Sequence, residues 1–461
     1  MRVGLLLLMG VMACTSSRIV DEPVPLQGAR LVLVDSGEVL SGEPPRVRVA
    51  NVRVGDTVEL RARRFVPRTQ FLKDVQVTDT ITVESWARFV ATSDGVDPNA
   101  ATPMAGTWRE ADAMALFWSM REVPNDSLLR RLRTSNAVTL TLAQNGLVRD
   151  SGTLMLHSSL DSLDERVILG GNFVGAFAVR RGARAAPVVL ALHGSEGGDT
   201  VAARALARRF AARGYAAFAV SYVQYPWNGA LPGVPTAFDS IPVETLDRAR
   251  AWLGQQPQAD TSRTALWGVS KGAEFALVAS ARRDWVRAAV ACVPSDVMWA
   301  GYGRDPLPGE TLASWSDSGR RLPAIPYDRY DDVFAGKATP RQVHDRSRVA
   351  SPALARAARI PVEQIVAPVL VLGADRDNVW SSGEMTRSAA RSLSASTRQA
   401  PVSAHTYPDA DHYICGVGTT PVSLLGPDSA PISEGTARSA ADAWQRTLAF
   451  LAEHFPATPK R

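Results

Sequence analysis

Residues 264–277, which read TALWGVSKGAEFAL, carry the pattern that decides the fold of this chain. Thr264–Val269 is a short apolar run, and the residues after Gly272 are rich in alanine and leucine with no helix breaker. The change of period predicts a strand, a sharp turn and a helix, with glycines that let strand and helix approach closely. Ser270 is then expected to project its hydroxyl above the edge of a sheet. The alternative is an ordinary Gly–Ser turn that closes a strand.

Strands and helices alternate on both sides of this stretch. Continuous apolar strands between amphipathic helices are typical of a mostly parallel sheet covered on both faces, here an α/β-hydrolase fold over residues 165–461, after a connection at Leu160–Glu165. The predicted strands are 172–179, 187–193, 216–221, 264–269, 288–293, 368–373 and 402–407, and the predicted helices include 201–213, 243–253 and 436–454.

Residues 29–158 have a different pattern, short alternating runs divided by turn residues. Their spacing predicts an antiparallel β-sandwich of the immunoglobulin-like kind. An aromatic-rich connection at 97–120 is expected to pack against the neighbouring domain. Trp299–Ser347, rich in Pro, Gly and aromatic residues, is interpreted either as a cap over the site or as a surface excursion.

Length and composition bound the function. The chain has 461 residues, of which 46% are hydrophobic and 21% charged, which is enough for two domains with separate cores. The net charge is +5, but the arginines are scattered, so a nucleic-acid partner is not expected. The glycine-rich loop at 192–198 lacks both the Walker and the Rossmann spacing, and no cofactor or metal is expected.

The first residues read as an export signal. Met1-Arg2 precedes a short apolar core that ends in Val11-Met-Ala-Cys14, similar to a bacterial lipobox in which Cys14 is lipidated. Residues 1–14 are therefore predicted to be a lipoprotein signal peptide and 15–28 a tether to the membrane. Thr15 rather than Asp follows the cysteine, which under the sorting rule for such lipoproteins favours the outer membrane. An ordinary secretory signal is the alternative.

Cys292 and Cys415 are the cysteines that remain in the mature chain. In an oxidising compartment they either pair or stay as two buried thiols, and the sequence leaves both possibilities open.

An acid for a catalytic triad is expected after Ser270, because a serine hydroxyl needs a base and an acid that orients the base. Gly373–Trp380 follows a buried strand, where α/β-hydrolases carry the acid, and contains Asp375 and Asp377. Asp377 is the preferred candidate.

The base is expected one strand later. Tyr407-Pro-Asp-Ala-Asp-His412 follows the next predicted strand in a turn rich in Pro and Asp. Three histidines come after Asp377, and His405 lies in a strand while His454 lies in the final helix. His412 is therefore the candidate base, with a simple solvated loop histidine as the alternative.

The oxyanion hole is expected to use two backbone N–H groups. Lys271, the residue after the nucleophile, supplies one. The other comes from the loop after the first long parallel strand, with Ser195 as first choice and Glu196 as second.

The chain from about Leu31 onward resembles the acyl-CoA thioesterase and bile acid-CoA:amino acid N-acyltransferase family. Ser270, Asp377 and His412 fall on the family's nucleophile, acid and base, with Asp377 three residues before Trp380 as in the motif. Serine at the nucleophile marks the thioesterases of the family, so the resemblance implies hydrolysis of an acyl thioester or ester. The segments that carry the resemblance are Asp97–Met120, Gly268–Glu274, Gly373–Glu384 and Tyr407–Ile414.

Three other functions stay open. The first is an exported ester or amide hydrolase that does not act on CoA. The second is an N-acyltransferase-like enzyme, and the third is a surface lipoprotein that binds partners without catalysis.

Overall fold

The computed structural model describes residues 28–72, 75–92, 95–123, 136–170, 173–225, 231–395, 397, 400–422, 424 and 431–457. The predicted signal at 1–14 with Cys14, and the tether except Gly28, lie outside the described residues and stay predictions.

The N-terminal part builds two β-sheets from strands with the expected alternation. Val58, Leu60 and Ala62 are buried on one strand, and Leu60 and Ala62 pair with the buried Leu142 and Leu140 of its neighbour. The elements are β1 (Arg30–Leu33), β2 (Glu38–Leu40), β3 (Val47–Ala50), β4 (Thr57–Leu72), β5 (Val75–Val90), β6 (Gly95–Val96), β7 (Ala105–Gly106), α1 (Ala115–Trp118), β8 (Arg121–Glu122), β9 (Ala137–Gln144) and β10 (Leu147–His157), with a 3-10 turn at Val34–Gly37. One sheet has the order β1-β3-β6, the other β2-β10-β9-β4-β5-β7, with β8 paired to β5. The immunoglobulin-like β-sandwich stays a prediction.

The rest of the chain alternates strands and helices. Its elements are β11 (Leu163–Ile168), β12 (Val174–Arg180), β13 (Ala186–Leu192), α2 (Thr200–Ala211), β14 (Ala216–Ser221), β15 (Ile241–Pro242), α3 (Glu244–Leu253), β16 (Ala259–Val269), α4 (Lys271–Ser280), β17 (Val286–Cys292), β18 (Trp315–Asp317), β19 (Arg320–Arg321), α5 (Asp331–Phe334), α6 (Pro340–Ala350), α7 (Pro352–Ala357), β20 (Val369–Ala374), α8 (Ser382–Ser394), β21 (Val402–Tyr407) and α9 (Glu434–His454), with a 3-10 turn at Val362–Gln364.

Eight of these strands form one sheet of order β11-β12-β14-β13-β16-β17-β20-β21. The pairs β11–β12 and β12–β14 are antiparallel, and all later pairs are parallel, so the sheet is mixed but mostly parallel, as in α/β-hydrolases. The predicted connection at Leu160–Glu165 is wrong in part, because β11 already begins at Leu163. β11 is the first strand in the order of this sheet and therefore an edge strand, and the predicted boundary at 165 cuts it.

The two parts of the chain share a core along α9. Ala437 and Ala441 of that helix are buried among the apolar residues of the first part, and the Val422 N–H donates to the Trp118 carbonyl at 3.1 Å. The aromatic connection at 97–120 therefore packs against the neighbouring part of the chain, as predicted.

The segment 299–347 is anchored in the core at several points, although parts of it, such as Leu307 and Phe334, are exposed. Trp299, Trp315 and Ile325 are fully buried, and β18 pairs with β15 beside the first turn of α4. Its aromatic side chains cover the helix that follows Ser270.

Within the described residues, no helix combines the length and the apolar character that a membrane crossing requires.

Candidate active site

Ser270 stands at the tight turn between β16 and α4. Its backbone has φ 56° and ψ −121°, a conformation that residues with a Cβ rarely adopt. Glycines make the turn possible: a Cβ on Gly268 would collide with the Gly272 carbonyl, and a Cβ on Gly272 with the carbonyls of Leu192 and His193. The geometry is that of a nucleophile elbow rather than of an ordinary Gly–Ser turn.

His412 and Asp377 meet Ser270 at the carboxyl edge of the sheet, because the parallel strands β16, β20 and β21 all end there. His412 Nε2 lies 2.9 Å from Ser270 Oγ, and His412 Nδ1 lies 2.8 Å from Asp377 Oδ2. The exposed fractions of the three residues are 7% for Ser270, 7% for His412 and 1% for Asp377. The structure thus brings together the three residues that the sequence put forward, in the order serine, base, acid.

Asp377 is held by its own loop. Its Oδ1 accepts the N–H groups of Val379 at 2.8 Å and Trp380 at 3.1 Å, which leaves Oδ2 for the imidazole. Asp375, the other candidate, instead binds Arg387 at 2.9 Å on the partly exposed side of the loop. The structure therefore places Asp377, and not Asp375, next to His412.

The loop after β13 faces Ser270 from the other side. A Cβ on Gly194 would lie 3.2 Å from Ser270 Cβ, so this backbone passes directly beside the nucleophile. The Ser195 N–H has no hydrogen-bond partner among the described residues, and the Lys271 N–H opens α4, where no intrahelical acceptor exists. Both predicted oxyanion donors are therefore uncommitted, whereas Gly194 N–H donates to the Glu196 carboxylate at 2.9 Å.

His193 and Tyr222 fix this loop, and the sequence analysis did not single them out. Their rings stack at 4.1 Å, the Tyr222 hydroxyl donates to the His193 carbonyl at 2.5 Å, and His193 Nδ1 lies 2.7 Å from the Gly194 carbonyl. Burial lowers the pKa of His193, so the ring is neutral and Nδ1–H is the donor. The only local signal is the His-Gly pair after an apolar strand.

A buried ion pair was also missed. Lys271 Nζ lies 2.8 Å from Glu274 Oε1, and the two side chains are 3% and 0% exposed. Burial lowers the pKa of Lys271 and raises that of Glu274, although each partner opposes the shift of the other. The ammonium also lies 5.2 Å from the Trp315 ring, in cation–π range. The Lys271 side chain thus points into the protein, and only its backbone faces the nucleophile.

Cys292 and Cys415 form a disulfide, with Cα atoms 6.0 Å apart. Cys292 ends β17, and its carbonyl accepts the Ser270 N–H at 3.0 Å. Cys415 stands three residues after His412. The disulfide therefore connects the strand that supports the nucleophile to the loop that carries the histidine.

Among the residues that the structure describes, no group of three or more His, Cys, Asp or Glu side chains is placed to hold a metal ion.

The order of the strands in the sheet defines an α/β-hydrolase fold. The serine at the elbow, with a histidine and an aspartate on later loops, defines a serine-type site in it. A family model described as "BAAT / Acyl-CoA thioester hydrolase C terminal" matches residues 241–457, and one described as "Acyl-CoA thioester hydrolase/BAAT N-terminal region" matches residues 42–157. The chain belongs to this acyl-CoA thioester hydrolase/BAAT family.

Two curated relatives come from Mus musculus. Acyl-coenzyme A thioesterase 5 is 26% identical over 390 residues, which cover 80% of this chain and 86% of the relative. Acyl-coenzyme A thioesterase 3 is 23% identical over 448 residues, which cover 93% and 95%.

Solved structures with lower similarity include a Pyrobaculum calidifontis esterase and a Pyrococcus horikoshii acylaminoacyl peptidase. The esterase is 18% identical with a TM-score of 0.36, covering 62% of this chain and 86% of its own. The peptidase is 10% identical with a TM-score of 0.43, covering 91% and 61%.

Proposed function

We propose that the protein is a serine hydrolase that cleaves an acyl thioester or ester through an acyl-enzyme. The observation that carries the proposal is the hydrogen-bonded chain from Ser270 Oγ through His412 to Asp377, at 2.9 and 2.8 Å. These distances are within the range in which a base takes the proton from a serine nucleophile.

In this mechanism His412 removes the Ser270 proton as the hydroxyl oxygen attacks the acyl carbonyl carbon. Asp377 holds the tautomer in which Nε2 is free to accept the proton, and it stabilises the imidazolium that forms. The N–H groups of Ser195 and Lys271 receive the negative charge on the carbonyl oxygen. His412 then protonates the leaving thiol or alcohol, and water repeats the cycle on the acyl-enzyme to release the acid.

The relatives point to acyl-CoA as one substrate class, since both are named as acyl-coenzyme A thioesterases. A second candidate is an exported thioester or ester hydrolase that does not act on CoA. The Cys292–Cys415 disulfide favours it, because disulfides persist in oxidising compartments, in accord with the predicted export signal.

We further propose that the mature protein is a lipoprotein of the bacterial cell envelope, anchored through Cys14. The support is the lipobox-like sequence at 11–14.

The proposal can be tested on purified protein from which the predicted signal peptide has been removed. A chromogenic disulfide reagent measures the thiol released from acyl-CoA and from simple thioesters. p-Nitrophenyl esters extend the assay to oxygen leaving groups. Ser270→Ala is the matched control and should lose turnover and labelling by a fluorophosphonate, with thermal unfolding close to wild type. Hydrolysis that survives in Ser270→Ala would place the nucleophile elsewhere. Hydrolysis of the simple thioesters without acyl-CoA would select the second candidate.

A further inference from the structure

Glu196 places a carboxylate beside the nucleophile. It follows β13 in the loop that faces Ser270, and its Oε1 accepts the Gly194 N–H at 2.9 Å. The point where a Cβ on Gly194 would stand is 2.5 Å from Glu196 Oε2 and 3.2 Å from Ser270 Cβ. The carboxylate and the serine therefore lie on the same side of Gly194, and both are close to the point that a Cβ on this residue would occupy.

The charge of this carboxylate is not neutralised by a neighbour. No Lys, Arg or His nitrogen among the described residues lies within 4.0 Å of it, and the side chain is exposed rather than buried. Its hydrogen bond to Gly194 fixes its position but carries no positive charge. An uncompensated negative charge thus stands next to the place where the oxyanion of the reaction forms.

Glu196 also lines a cavity whose wall includes Cys415, a residue of the loop that carries His412. The cavity, of about 160 Å³, lies between this loop, α2 and the loop of the base, with Val269 and Cys415 in its wall. His412 has to protonate the leaving atom, so the leaving group must depart on the side of the His412 loop, to which Cys415 belongs. Arg209 lines the same cavity, nine residues beyond the start of α2 and hence about 13 Å along the helix axis. Asp199 lines the cavity as well, but its Oδ1 accepts the N–H groups of Val201 and Ala202 at the start of α2. The carboxylate that the structure places beside Ser270 is that of Glu196.

We propose that Glu196 selects the leaving group by charge: it favours thioesters and esters whose leaving group carries a positive charge within a few bonds of the sulfur or oxygen, and rejects those with a negative charge there. This inference rests on the proposed hydrolase function. The Glu196 side chain is exposed, so water screens its charge, but a carboxylate held a few Å from the reacting atoms acts more strongly on a charged leaving group than a distant surface charge does. The phosphates of CoA lie many bonds from the thioester sulfur and are screened by salt at that distance, so selection concerns the part of the leaving group next to the reacting atom.

Three butyryl thioesters with a different charge on the thiol test the proposal: butyrylthiocholine (cationic), S-(3,3-dimethylbutyl) thiobutyrate (its neutral isostere) and S-butyryl-3-mercaptopropanoate (anionic). Thiol release gives kcat/KM for each. The wild-type protein is expected to favour the cationic over the anionic compound by about tenfold or more. Glu196→Gln keeps an oxygen that accepts the Gly194 N–H but removes the charge, so the ratio should fall towards one while the neutral compound changes by less than about threefold.

Glu110→Gln, which removes an exposed carboxylate of the N-terminal part, is the matched control and should leave the ratio unchanged. Raising the salt from 0.05 to 1 M should also reduce the wild-type ratio, a measurement that needs no variant. Equal losses on all three thioesters in Glu196→Gln, or a wild-type ratio near one, overturn the charge selection alone. Absence of any thioester or ester hydrolysis by the wild-type protein overturns the hydrolase function as well.

Discussion

Replacement of Asp377 by asparagine tests the part of the proposed triad that the sequence left open between two residues. The amide oxygen of the asparagine should take the place of Oδ1, since otherwise its NH₂ group would face the N–H groups of Val379 and Trp380. The NH₂ group then faces His412 Nδ1, which can only accept from it. The imidazole proton is forced onto Nε2, where it faces Ser270 Oγ, and the base no longer accepts the serine proton.

The expected loss is large for this residue and small for its neighbour. The wrong imidazole tautomer lowers kcat by about 10⁴, which corresponds to about 5 kcal/mol in the activation free energy. Asp375→Asn removes a partly exposed ion pair with Arg387, a contact worth about 0.2–1 kcal/mol, so its kcat should fall by less than about fivefold.

Steady-state hydrolysis of p-nitrophenyl butyrate at pH 7.5 measures both variants, and thermal unfolding must show that both are folded. The control matters because Asp377 also ties together the turn before α8. If Asp375→Asn shows the larger loss, or if both losses stay below tenfold in folded proteins, Asp377 does not orient His412 and the proposed triad fails at its third member.

Three further predictions concern the disulfide, a buried histidine and the lipid anchor. Replacing Cys292 and Cys415 together by serine should lower the free energy of unfolding by about 2–4 kcal/mol and also lower kcat, because the disulfide fixes the loop of His412. Unfolding of the wild-type protein in denaturant that is the same with and without a reductant would contradict this. His344 is buried in the segment that covers α4, and burial lowers its pKa from the ordinary value of 6.5 to about 4. As the pH falls below 6.5, the histidine of the unfolded chain therefore takes up a proton before that of the folded protein does. The stability that this group contributes is fully present above pH 6.5 and is lost as the pH falls from 6.5 to 4, and His344→Gln should show a shallower loss of unfolding free energy in denaturant across that window. Cys14→Ser should leave an uncleaved or soluble protein in detergent partitioning of cells, and normal partitioning of that variant would contradict the lipoprotein proposal.

Local patterns in the sequence were sufficient for much of the fold and for the candidate triad. The elbow at Ser270 and the loops of Asp377 and His412 each follow a buried strand, and the ends of parallel strands meet at one edge of a sheet. The order of these residues in the chain therefore predicts their proximity. β11 was not among the predicted strands, because Asp164, Glu165 and Arg166 are three consecutive charged residues and the segment lacks the alternation of a half-buried strand.

Contacts between distant segments could not be predicted in this way. The Cys292–Cys415 pairing depends on how close the end of β17 lies to the loop after β21, which spacing in the sequence does not specify. Likewise His193 and Tyr222 stack across neighbouring strands, although nothing in either local sequence indicates the other. The charge selection proposed for Glu196 also needs the folded loop, because in the sequence it is one exposed acid in a glycine-rich turn.

Glu274 connects the segment 299–347 to the helix that follows Ser270. Its Oε1 receives Lys271 Nζ at 2.8 Å from the elbow helix, and Trp315 Nε1 at 2.6 Å and Trp299 N–H at 3.2 Å from the segment 299–347. A hydrogen bond to a charged group contributes about 1.5–3 kcal/mol, so the segment cannot leave the helix without losing two such bonds. Lys271, whose backbone N–H we propose as an oxyanion donor, is also the residue that pairs with this carboxylate. The segment 299–347 therefore fixes the first turn of α4 through Glu274, and substitutions in Trp299 or Trp315 should alter the geometry of the proposed oxyanion hole.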